Sequence, residues 1–156
     1  MNSNDQNIIN IYFKNSPIFL DLNELDRIQL EKKSNINIFE PGDTIIEQGD
    51  DTNTVYFLIS GTVHVLDYSR SHRAVTYASL NDGEMFGEMA AIDGFPRSAW
   101  VCAITTCKII SLPGNTFINI LKNNADISLK ILAKLSSRLR LSDEKITDVS
   151  LFGTEQ

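Results

Sequence analysis

Residues 36–66 read INIFEPGDTIIEQGDDTNTVYFLISGTVHVL, and this stretch decides the fold. Short β-rich runs, Ile36-Asn37-Ile38-Phe39, Thr44-Ile45-Ile46-Glu47, Val55-Tyr56-Phe57-Leu58-Ile59 and Thr62-Val63-His64-Val65-Leu66, are separated by turn residues. The breaks fall at Pro41-Gly42-Asp43, Gln48-Gly49-Asp50 and Ser60-Gly61, where glycine supplies the backbone angles that other residues resist. The texture continues through Ala74-Val75-Thr76-Tyr77, a break at Asn81-Asp82-Gly83, and two runs around Thr105-Thr106. Many short runs with regular punctuation predict antiparallel strands closed into a sandwich or roll. The polar stretch 67–73 between two of these runs reads as a solvated hairpin tip.

Outward from this region the period becomes helical. Asn23 predicts an N-cap for Glu24-Leu25-Asp26-Arg27-Ile28-Gln29-Leu30, with Leu22, Leu25 and Ile28 on one face. Residues 1–34 thus form a helical lead-in, helical over about 8–32, to a β-roll at 35–114. A short helix at 116–121 follows, and Asp126 is expected to cap a longer helix, 126–149, within a C-terminal helical region 115–150. In the long helix Leu132, Leu135, Leu139, Ser142, Ile146 and Val149 step by 3, 4, 3, 4 and 3, the seam of a coiled coil. Ile127, Leu129, Ile131 and Leu141 lie off that seam and are free to pack on the roll, leaving the seam to a partner.

Function concentrates in Phe86-Gly87-Glu88-Met89-Ala90-Ala91-Ile92-Asp93-Gly94-Phe95-Pro96-Arg97-Ser98-Ala99-Trp100-Val101. Glu88-Met89-Ala90-Ala91 can start a helix after Gly87, and Gly94-Phe95-Pro96 can stop it. The first N–H groups of such a helix lack intrahelical partners and suit an anion. Arg97 returns beside that end with a planar fork matched to phosphate, and Glu88 can accept from sugar hydroxyls.

This cassette, 86–101, resembles the phosphate-binding cassette of the cyclic nucleotide-binding domains. The strand and turn pattern Phe39-x-Pro-Gly-Asp, Gln48-Gly49-Asp50, Val55-Tyr56-Phe57 and Gly61-x-Val63 is similar as well, so the resemblance covers residues 16–150. It implies a mainly β protein with flanking helices: an antiparallel β-roll of jelly-roll type, N-terminal helices, a short phosphate-binding helix and a long C-terminal dimerisation helix. It implies that Glu88 and the Gly87 backbone take the ribose 2′-hydroxyl. Arg97 takes the phosphate, helped by Ser98 and the backbone of Met89 and Ala90. Arg97-Ser98-Ala99-Trp100-Val101 resembles the catabolite activator (CRP/FNR-like) branch. There the matching long helix forms the dimer and carries a hydroxyl that reads the base; aligned without a gap, Ser142 falls on that hydroxyl and Arg138 on a neighbouring basic position. The expected ligand is cAMP, with cGMP the alternative, because a hydroxyl can serve either base.

The resemblance implies a non-enzymatic, homodimeric sensor of a transcriptional regulator. The alternatives are a module gating a kinase, channel or transporter, or a stand-alone sensor. That branch continues into a helix-turn-helix domain that reads DNA, and residues 151–156 read as the hinge or truncated end where it would begin. This chain alone is not expected to bind nucleic acid. Its net charge is −6, with ten acids against four bases in residues 1–60 and no basic face elsewhere. No apolar run approaches the ~18 residues of a membrane span, and the first residues lack a signal-peptide pattern, so a cytoplasmic location is expected. Cys102 and Cys107 read as small apolar side chains, and His64 and His72 make no metal motif, which argues against a cupin-type metalloenzyme. A roll that had lost its ligand would not be expected to keep Glu88, Arg97 and Ser98 together.

Overall fold

The structure, a computed structural model, describes residues 2–67 and 75–154, with side chains of the last helix described as far as Leu141. The tip residues 68–74, including His72, therefore lie outside the described residues. The chain order is α1 (Ser3–Asn15), α2 (Glu24–Lys33), β1 (Asn35–Phe39), β2 (Thr44–Ile46), β3 (Val55–Ser60), β4 (Val63–Asp67), β5 (Val75–Leu80), β6 (Met85–Phe86), α3 (Glu88–Asp93), β7 (Trp100–Ala103), β8 (Cys107–Leu112), α4 (Gly114–Asn123) and α5 (Ala125–Thr154). The strands form two antiparallel sheets, β1-β8-β3-β6 and β2-β7-β4-β5, the two walls of a roll.

One apolar core lies between the sheets, built from Ile46, Leu58, Val63, Leu80, Phe86, Val101, Ala103, Cys107 and Ile109. A second lies under the helices, where Val55, Phe57, Met85, Ile110 and Leu112 meet Ile9, Phe13, Phe19, Leu30, Phe117, Ile127 and Ile131. β3 and β8 face both cores, so alternate residues serve opposite sides and the strands read as nearly continuous apolar runs. Phe13, Phe19 and Phe57 pack edge-on with centroids 5.0–5.6 Å apart, pinning α1 to β3. Each such aromatic pair adds about 0.5–1.5 kcal/mol beyond its buried area. Tyr12 joins them and donates to the Gly83 carbonyl at 3.1 Å.

Several helical expectations change. Asn23 caps α2 as expected, accepting from the Asp26 N–H at 2.9 Å. The apolar face of α2 is not the expected one: Leu25 and Ile28 are 79% and 50% exposed, while Leu30 is fully buried and Leu22 is buried before the helix begins. Spacing places Leu25 and Ile28 together, but the docking angle of α2 turns that face to solvent. Asp126 does not cap α5. Asn124 precedes the helix and accepts its first bond from the Ser128 N–H, and Asp126 sits in the first turn, where its charge suits the dipole. On α5, Ile127 and Ile131 pack on the roll as expected, but Leu129 and Leu141 are 62% and 56% exposed and do not. Leu135, read as seam, half-packs into the helix-side core, leaving Leu132 and Leu139 exposed. The side chains of Ser142, Ile146 and Val149 lie outside the described residues.

Candidate functional site

The cassette folds as its residues dictate. Gly87 takes a left-handed backbone, φ +81°, as the N-cap of α3, and Gly94 takes φ +74° at its end, with its N–H bonded to the Ala90 carbonyl. A Cβ on Gly87 would lie 2.9 Å from Arg97 Nη1 and 3.0 Å from the Thr54 carbonyl. Glycine is therefore required twice there, for the backbone and for the close approach of Arg97.

Arg97 is 5% exposed and holds three protein acceptors: Nη1 donates to the Gly87 carbonyl at 2.8 Å, Nη2 to the Thr54 carbonyl at 2.8 Å, and Nε to Thr52 Oγ1 at 3.1 Å. The expected free fork is a clamp joining the β2–β3 loop to the N-terminus of α3. Of the five N–H groups of a guanidinium, two remain for a ligand. Burial pushes the Arg97 pKa down, while Tyr56, Asp50 and Glu88 pull it back up. The group keeps its charge.

Glu88 is 2% exposed, and its carboxylate is met by a residue 50 positions away: Arg138 Nη1 donates to Glu88 Oε1 at 2.6 Å. Arg138 Nη2 also donates to the Met85 carbonyl at 3.4 Å. The acid of the cassette is thus tied to α5 rather than to Arg97. Lys134, one turn earlier on α5, has its pKa lowered by burial and by Arg138, against the pull of Glu88 and Glu84.

These groups surround a cavity of about 380 Å³. It brings together Gly87, Glu88, Met89, Ala90, Arg97, Ser98 and Arg138, seven of the eight expected site residues; the Ser142 side chain is outside the described residues. Met89 is 52% exposed at its rim, whereas Ala90 is buried. Sequence reading missed the opposite wall: Val65, Tyr77, Ala78 and Leu80 from β4 and β5, and Leu141 from α5. The spacing of α5 assigns Leu141 only to packing, and nothing local to β5 signals that it faces a site. Among the described residues no three His, Cys, Asp or Glu side chains gather as a metal set, and Cys102 and Cys107 are free thiols. Among the described residues no helix is long and apolar enough to cross a membrane.

Comparison with known proteins agrees with this geometry. Residues 36–124 match the family model described as the cyclic nucleotide-binding domain. The cAMP-activated global transcriptional regulator CRP of Escherichia coli is 31% identical over 108 residues, covering 69% of this chain and 51% of that protein. The chain thus spans about half the length of the curated relatives it matches. The crystal structure of the Thermus thermophilus catabolite activator protein superposes with a TM-score of 0.75 at 26% identity, covering 86% of this chain and 63% of that one. The cAMP-bound regulatory domain of Toxoplasma gondii PKA superposes with a TM-score of 0.69 at 23% identity, covering 79% and 47%. With the motif, the roll and the family match in agreement, this chain belongs to the cyclic nucleotide-binding domain family, on its CRP/FNR-like side.

Proposed function

We propose that this chain is a non-enzymatic sensor module that binds cAMP in the cavity beside α3 and passes occupancy to α5. The observation that carries the reading is the pair of buried opposite charges in one cavity, Glu88 and Arg97, inside the segment matched to the family. Both groups already have protein partners that offset the cost of burial, yet both line open space at the N-terminus of α3 and keep hydrogen-bonding capacity for a ligand there. The cyclic phosphate meets the two spare Arg97 N–H groups, Ser98 and the backbone N–H groups of Met89 and Ala90. The ribose 2′-hydroxyl donates to Glu88, whose carboxylate can accept from both Arg138 and the sugar.

Because Arg138 belongs to α5, a ligand at Glu88 alters an ion pair that joins this helix to the cassette. A ligand that binds one placement of α5 more tightly than another shifts the population between them. The exposed Leu129, Leu132 and Leu139 support α5 as the dimer surface, and the role of reading the base falls to Ser142 by family resemblance alone. DNA is reached only through a separate helix-turn-helix segment, in keeping with an acidic chain.

Calorimetric titration with cAMP, cGMP and 5′-AMP tests the reading. The expectation is one site per protomer for a cyclic nucleotide, with cAMP preferred and the open phosphate much weaker. No heat from either cyclic nucleotide with folded protein would refute it.

A further inference from the structure

β5 carries one residue more than its partner at a single point. Val65 faces Ala78 and Leu66 faces Thr76, so Tyr77 is the extra residue between those pairs. Regular alternation would send Tyr77 and Ala78 to opposite faces of the sheet. A bulge re-aims a side chain, and here both residues line the cavity. The Tyr77 hydroxyl donates to Asp67 Oδ2 at 2.6 Å, a charge-assisted bond to the end of β4 that anchors the ring tip. The ring is 55% exposed.

The cavity is divided by chemistry. Its charged side chains come from the cassette and α5, whereas the β4–β5 wall supplies Val65, Ala78, Leu80 and the Tyr77 ring. A ligand held by its anionic end at Arg97 can turn its other end to the β4–β5 wall, where among the described lining residues Tyr77 offers the aromatic surface. We infer that Tyr77 is the platform on which the purine of the bound nucleotide stacks, placed there by the β5 bulge. Stacking uses the π-face that every base has, so Tyr77 contributes affinity for a base without choosing between adenine and guanine. The inference rests on the cyclic nucleotide reading.

The test uses Tyr77→Leu, which keeps apolar bulk and removes the π-face, beside Tyr77→Phe, which keeps the ring and removes the tie to Asp67. Titrations employ cAMP, cGMP and the fluorescent 2-aminopurine riboside 3′,5′-cyclic phosphate, whose emission is quenched when its base stacks. Tyr77→Leu should weaken cAMP and cGMP alike, each by about tenfold or more, the scale of one base–aromatic stack. Wild type and Tyr77→Phe should quench the probe at saturation, and Tyr77→Leu should not. Equal quenching at saturation in wild type and Tyr77→Leu, or unchanged cAMP affinity in Tyr77→Leu, would overturn the platform while leaving the binding site standing. Failure of wild type to bind any of the three would overturn the cyclic nucleotide reading itself.

Discussion

Replacing Arg97 should destabilise the empty protein as well as weaken its ligand. In Arg97→Ala, the Gly87 and Thr54 carbonyls and the Thr52 hydroxyl each lose their donor. Hydrogen bonds to a charged group contribute about 1.5–3 kcal/mol each, and part of that total is offset because a guanidinium no longer has to be desolvated. Arg97 is 5% exposed, so the desolvation its charge requires in the folded chain is substantial. A net loss of about 2–4 kcal/mol follows, which for a chain of this size lowers Tm by about 5–15 °C. The backbone bonds of residue 97, its N–H to the Asp50 carbonyl and its carbonyl to the Gly49 N–H, survive the substitution, so the turn at 49–50 should persist. Arg97→Lys should fall between, because one compact ammonium cannot reproduce a planar fork reaching three acceptors. Scanning calorimetry without ligand, then at saturating cAMP, separates the two roles. The ligand-free Tm should drop in both variants, and the further rise on adding cAMP should shrink most in Arg97→Ala. An Arg97→Ala protein that melts like wild type without ligand would refute the clamp and leave Arg97 a ligand contact only.

Other substitutions probe other parts of the design. Glu88→Gln should weaken cAMP by about 1–2 kcal/mol, since an amide oxygen still accepts a hydrogen bond, and a 2′-deoxy ligand should not feel the change; an equal loss on the deoxy ligand would make Glu88 purely structural. Leu139→Glu, at a position 64% exposed in the single chain, should turn a dimer into a monomer in sedimentation, because a charge buried in an apolar interface costs several kcal/mol. Unaltered sedimentation of the variant would move the interface elsewhere. The Tyr12 hydroxyl, desolvated by burial, has its pKa raised from 10.0 to about 12. The folded chain holds this proton where the unfolded chain has released it, so stability is full below pH 10 and falls as the pH rises from about 10 to about 12. Tyr12→Phe should flatten that part of the urea-melt profile while losing about 1 kcal/mol at neutral pH with the bond to Gly83; an unchanged alkaline limb would assign it to another group.

Much of this protein was legible in its residues alone. The turn glycines, the short β-rich runs and the Gly87 to Gly94 helix depend on preferences that act over a few positions, and they appear where composition and spacing put them. The residues of the cassette also identify its chemistry, because an acid, a guanidinium and a helix start within ten positions leave little geometric freedom. What spacing could not decide is which way an element turns once it docks. Leu25 and Ile28 share a face that α2 leaves in water, and Leu129 and Leu141 remain exposed while Leu135 half-packs into the core. An amphipathic pattern records that a face is apolar but not how helix axes cross, and crossing angles come from packing. The partners of the charges were hidden for the same reason. Arg97 bonds to Thr52 and Thr54, more than 40 positions earlier, and Glu88 meets Arg138, 50 positions later. The β5 bulge is equally invisible in β5 itself, because an extra residue exists only relative to the strand beside it. Local preference determined the elements and the candidate site; only the pairing of segments distant in sequence decided what each charged group holds and which wall the cavity presents.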